Sequence, residues 1–119
     1  MVLGWIIDGR AQQDIWIGYP GRAGAERSIG TSVRFYDVKT DEWCVAWIAP
    51  AANSVITLKG GPVGDRIVLR GQDADGSQLR WSFNDMQANS FVWRGESSHD
   101  ECKTWTLEEE HHMRRRTGA

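Results

Sequence analysis

Apolar and polar residues alternate one for one along most of this chain, and a period of two is what a half-buried β-strand requires. Residues 31–36 set Val33 and Phe35 against Ser32 and Arg34. Residues 78–83 set Leu79, Trp81 and Phe83 against Arg80 and Ser82, and residues 90–96 put Phe91 with Trp93. Residues 65–70 pair Ile67 with Leu69, and residues 103–108 pair Trp105 with Leu107. Residues 42–48 are apolar on both sides, with Trp43, Val45 and Trp47 in phase, and residues 53–59 follow after a small break. At the start, residues 3–8 and 11–17 flank Gly9-Arg10, a two-residue break of hairpin type. No stretch sustains a 3.6-residue period over three turns.

The breaks carry turn chemistry. Residues 37–41 are short and polar, residues 60–65 hold three glycines and a proline, and residues 71–76 mix Gly with Asp. Residues 20–30 form the longest irregular piece and read as a loop. Short connections favour antiparallel neighbours, because parallel ones need a crossover of about a dozen residues. The expectation is an all-β fold: about nine strands in an antiparallel up-and-down meander, closing into a barrel or half-barrel to hide its edges. With 119 residues the chain reads as one domain, 1–119, whose last residues, 114–119, are a frayed tail.

Composition removes several classes. Sixteen acidic and fourteen basic residues leave a net charge of −2, which argues against nucleic acid as a partner. No apolar run approaches the roughly 18–20 residues of a membrane span. The opening residues lack a basic region and meet Asp8 at once, so no secretory signal is expected. A cytoplasmic location follows, with Cys44 and Cys102 as reduced thiols.

Gly9-Arg-Ala-x-Gln-Asp-x-Trp16, Val33-Arg-Phe-Tyr-Asp37, Trp43 and Trp47 resemble a group of uncharacterised bacterial lipocalin-like, calycin-type β-barrels. Gly64-Asp-Arg-Ile-Val-Leu69, Arg80-Trp-Ser-Phe83, Ser90-Phe-Val-Trp93 and Lys103-Thr-Trp105 extend the resemblance over residues 4–114. It implies a lipocalin-like barrel and leaves the activity open. Members of that group usually carry a further segment ahead of the first Gly-Trp strand; starting without it implies either an open edge that a second copy completes, as a homodimer, or a shorter but closed barrel. They also read Asp-Gly-Gly where this chain has Asp100-Glu-Cys102, which implies a different or longer last turn.

In that frame Phe35, Trp47, Trp81, Phe83, Trp93 and Trp105 share the inner face. They either line a pocket for a hydrophobic or aromatic small molecule or fill the core themselves. Arg34, Arg80, Arg94 and Glu96 face the other way. If inside and outside are reversed, they form a polar lining in which Arg80 and Arg94 clamp a carboxylate. His111 and His112 are adjacent and point to opposite faces of a strand, so no metal site is expected, and no cofactor. Asp73-Ala-Asp75-Gly76 reads as a turn rather than a calcium loop. The expected function is small-molecule binding. The alternatives are an isomerase, cyclase or hydrolase using the same pocket, or an assembly protein with a filled core.

Overall fold

The computed structural model describes residues 2–18 and 28–114, and the alternation materialises as nine strands with no α-helix among the described residues. The strands are β1 (Val2–Ile6), β2 (Ala11–Gly18), β3 (Ser28–Asp37), β4 (Glu42–Ala49), β5 (Ser54–Val63), β6 (Arg66–Gln72), β7 (Gln78–Asn84), β8 (Ser90–Ser98) and β9 (Thr106–Arg114). A single 3₁₀ turn, Pro50–Ala52, precedes β5. Strand order follows chain order from β1 to β9, an all-β antiparallel up-and-down meander. The chain divides into two compact units, Met1–Leu58 and Lys59–Ala119.

Local chemistry explains most boundaries. Between β3 and β4 the Asp37 carboxylate accepts the N–H groups of Lys39 (2.9 Å) and Thr40 (3.4 Å), and Asp41 takes a left-handed φ of 55°. The Asp73–Ser77 segment is a turn: Gly76 donates to the Asp73 carbonyl at 3.0 Å with φ 88°. Three boundaries depart from the pattern. The first hairpin breaks over Ile7–Arg10 rather than Gly9-Arg10 alone, with Ile6 opposite Ala11 and positive φ at Ile7, Asp8 and Gly9. Gly60, Gly61 and Pro62 lie inside β5, because Gly64, at φ 63°, takes the left-handed position of a tight two-residue turn before β6. The last strand starts at Thr106, not Lys103. Asp100 accounts for that shift: its carboxylate accepts the Thr104 N–H (2.9 Å) and both the Ser98 and Thr104 hydroxyls, so the chain turns where it was expected to extend. Glu101 and Cys102, standing where the resemblance has glycines, adopt φ of 60° and 68°. Of the expected loop over residues 20–30, residues up to 27 lie outside the described residues, and its last three belong to β3. Residues 115–119 of the expected tail also lie outside them.

The buried apolar core is aliphatic. It holds Ala11, Val45, Ile56 and Leu58 in the first unit and Val68, Leu69 and Leu79 in the second. None of the seven tryptophans belongs to it; Trp5 is 65% exposed and the other six are half-buried.

Candidate functional site

Directly opposed residues of an antiparallel ladder project to one side of the sheet, and the next pair projects to the other. In the first unit Asp14 faces Ser32, which faces Trp47, while Gln12 faces Arg34, which faces Val45. Trp16 faces Gly30, and Tyr36 faces Trp43. One side of β2–β4 therefore carries Gln12, Asp14, Trp16, Ser32, Arg34, Tyr36, Trp43, Val45 and Trp47. The other carries Ile15, Ile29, Val33, Phe35, Cys44 and Ile48.

Burial of these two sides inverts the usual rule. Asp14 and Ser32 are 2% and 5% exposed, whereas Ile15, Ile29, Phe35 and Ile48 are 38–49% exposed. A buried charge is the informative observation, because exposed aliphatics are ordinary and unpaired buried carboxylates are costly. Asp14 is fully engaged. One carboxylate oxygen accepts the Ser32 hydroxyl (2.8 Å) and N–H (3.3 Å), and the other accepts Arg34 Nη1 at 2.7 Å. Arg34 Nη1 also reaches the Ser32 oxygen (3.2 Å), and Arg34 Nε donates to Gln12 Oε1 (3.2 Å). The side chain of Arg34 is 20% exposed against 3% for Asp14, so the cationic end of the pair is the one nearer water.

Aromatic rings flank this quartet along the strands. Tyr36 and Trp43 meet edge to face at 5.7 Å on one side. On the other side stands Trp16, and the Trp47 indole lies against Gly30, where an added Cβ would sit 2.2 Å from Cη2. A glycine under a cross-strand ring lets the indole lie flat on the backbone.

In the second unit the expected phase holds for three rings. Trp81, Phe83 and Trp93 share one side, with Trp81–Trp93 centroids 5.4 Å apart and Phe83–Phe91 at 5.5 Å. Trp93 covers Gly95, where a Cβ would meet its Cη2 at 2.7 Å, and stands 5.5 Å from the His111 ring. Arg80, Arg94 and Glu96 take the opposite side, as expected. Both arginines already hold a carboxylate. Arg80 holds Glu96 through Nε (3.1 Å) and Nη2 (2.9 Å), and Arg94 Nε holds Glu110 at 2.9 Å. The carboxylates expected at Arg80 and Arg94 are thus supplied by the chain itself.

Two placements are corrected. Phe35 does not share a face with Trp47: it opposes Cys44 on the exposed side, while Arg34 is the residue in phase with Trp47. The β3–β4 register decides this, and β4, apolar on both sides, gave no phase from which to read it. Trp105 does not join Trp81, Phe83 and Trp93. It precedes β9, and its ring lies under the Arg80 guanidinium, 4.2 Å from Cζ to the centroid, on the opposite side.

His111 and His112 point to opposite faces, beside Glu109 and Glu110 respectively. Cys44 is half-buried and Cys102 exposed, both as free thiols. Hydrogen bonds from Ser77 lower the proton affinity of Asp75. The Arg94 guanidinium, with His112, lowers Glu110, and Arg94 is raised in return. Gln12, Asp14, Trp16 and Ser32 are the site residues that the alternation alone did not single out. The available signal was an aspartate, disfavoured in strands, in phase with a tryptophan two residues on.

Compared with protein-family models, curated proteins and solved structures, the chain matches none of the three. No helix among the described residues is long and apolar enough to cross a membrane.

Proposed function

We propose that this chain is a small-molecule-binding protein of lipocalin-like type, acting in the cytoplasm, whose ligand seats on the tryptophan-bearing side of β2–β4. The observation that carries the reading is the buried Asp14–Arg34 pair at 2.7 Å, set among Trp16, Trp43 and Trp47. Binding sites of this kind combine apolar and aromatic walls with a few fixed polar groups that orient the ligand. A buried ion pair is a poor source of net stability compared with well-packed apolar side chains, so its presence here fits recognition better than packing. The half-buried rings supply flat apolar area at a small cost in side-chain ordering.

The test is titration with N-phenyl-1-naphthylamine, an uncharged probe that fluoresces in apolar sites. Saturable binding of one probe per chain, weakened at least tenfold by Trp16→Ala with Trp47→Ala, is the expected result. No enhancement, or enhancement indifferent to those two rings, refutes it.

A further inference from the structure

We infer that the ligand of this face carries a carboxylate, held by Arg34 and Gln12; the inference rests on the binding reading above and adds the chemistry of the head group. It follows from counting donors and acceptors. Both Asp14 oxygens are occupied, by Ser32 and by Arg34 Nη1. Gln12 Oε1 is occupied by Arg34 Nε, and the Ser32 oxygen accepts from Arg34 Nη1. Every side-chain acceptor of the quartet is thus engaged within it. Two donor groups, Arg34 Nη2 and Gln12 Nε2, make no hydrogen bond among the described residues. Each carries two N–H groups, and both belong to half-buried side chains bound to one another through Arg34 Nε and Gln12 Oε1 at 3.2 Å.

A site whose acceptors are each engaged and whose free nitrogen groups all donate favours a ligand that accepts. Charge sharpens the choice. Asp14, 3% exposed at its side chain, lies behind Arg34, 20% exposed, so the pair turns its positive end toward an incoming group. One charged and one neutral nitrogen donor, on side chains joined at 3.2 Å, can serve the two oxygens of one carboxylate, and the hydrogen bond from the guanidinium is the charge-assisted one. Asp14 and Ser32 act as positioning residues, since they fix Nη1 and hence the plane of the guanidinium. The Tyr36–Trp43 pair at one end of the quartet, with Trp16 and Trp47 toward the other, fits a flat apolar body on the same molecule. Arg80 and Arg94 differ from Arg34 in their partners: Glu96 and Glu110 are 21% and 34% exposed at their side chains, whereas Asp14 is 3% exposed.

The experiment compares 1-naphthoate with 1-naphthamide by quenching of intrinsic tryptophan fluorescence, at one pH above 6 and fixed ionic strength. The two probes share shape and apolar area and differ in the charge of the head group. The full chain should bind naphthoate about tenfold or more tighter, the range that charge-assisted hydrogen bonds supply. Asp14→Asn with Arg34→Gln keeps the quartet neutral and hydrogen-bonding, and should bring the two affinities together. Gln12→Met, which removes one donor and leaves no charge unpaired, should reduce the preference for naphthoate several-fold; circular dichroism confirms that each variant is folded. Equal affinity for both probes in the full chain overturns the carboxylate inference and leaves the binding reading standing. Binding of neither probe overturns both. A naphthoate preference that survives unchanged in the double variant overturns the assignment to Arg34.

Discussion

Asp14→Ala isolates the buried charge. The substitution removes the partner of Arg34, whose side chain is 20% exposed, and deprives the Ser32 hydroxyl and N–H of their acceptor. Breaking a buried pair by deleting one member costs about 3–5 kcal/mol, because the other charge remains buried and uncompensated. A chain of this length has a stability of about 6–18 kcal/mol on a per-residue basis, so the variant should fold with a much reduced margin. With an unfolding entropy near 250 cal/mol/K for such a chain, the midpoint should fall by about 12–20 °C. In urea, at a slope of about 2 kcal/mol/M, it should fall by about 2 M. Equilibrium unfolding followed by tryptophan emission measures both. The decisive companion is Asp14→Leu with Arg34→Met, which removes both charges together and should cost about 1–2 kcal/mol, chiefly the orphaned Ser32 groups. Non-additivity above about 2 kcal/mol is therefore expected from the cycle. If Asp14→Ala costs less than about 1 kcal/mol, or if the double variant equals the sum of the singles, the pair is solvated and the argument for a recognition centre on this face fails.

Two further outcomes test other parts of the structure. Gly30→Ala should expel the Trp47 indole, since the new Cβ would lie 2.2 Å from Cη2 and 2.4 Å from Cζ2. A red-shifted emission and a loss of about 1–3 kcal/mol are expected, both relieved by Trp47→Val in the same chain, whereas unchanged spectra would contradict the placement of the ring. The hydroxyl and N–H of Thr104, with the Ser98 hydroxyl, hold the Asp100 carboxyl at about 2 against an ordinary 3.8. Its contribution to the last turn should therefore be complete above about pH 4 and lost as pH falls through about 2. Carboxyl carbon NMR should locate that midpoint and move it upward in Thr104→Val; a midpoint at the ordinary value in the parent would rule the clamp out.

The fold was legible because alternation is a local property: each of β6, β7 and β8 announces its two faces within six or seven residues. Phase between strands is not local. Thr31–Tyr36 shows which residues go together, and nothing within it says whether Val33 and Phe35 or Ser32 and Arg34 face Trp47; that depends on which β4 residue stands opposite. The sheet settled it by pairing Ser32 with Trp47, and the reversal placed a charged quartet where aliphatics were expected. In β7 and β8 the phase carried through, because one alternation of aromatics against arginines runs along both strands. Trp105 escaped for a different reason. A side-chain clamp at Asp100 ended the strand pattern early, and such a clamp competes with the ladder without changing the periodicity of the letters.

The contact of Trp47 with Gly30 also orders the ways in which this chain can change over time. Position 47 can accept a smaller side chain at any moment, at the cost of some apolar contact. Position 30 can gain even a methyl group only after the indole has gone, because until then the space is already filled. Gly95 and Trp93 repeat the arrangement in the second unit, with 2.7 Å where a Cβ would need room. At both places the route runs in one direction: a descendant that has lost the ring and then filled the glycine has no single-step return.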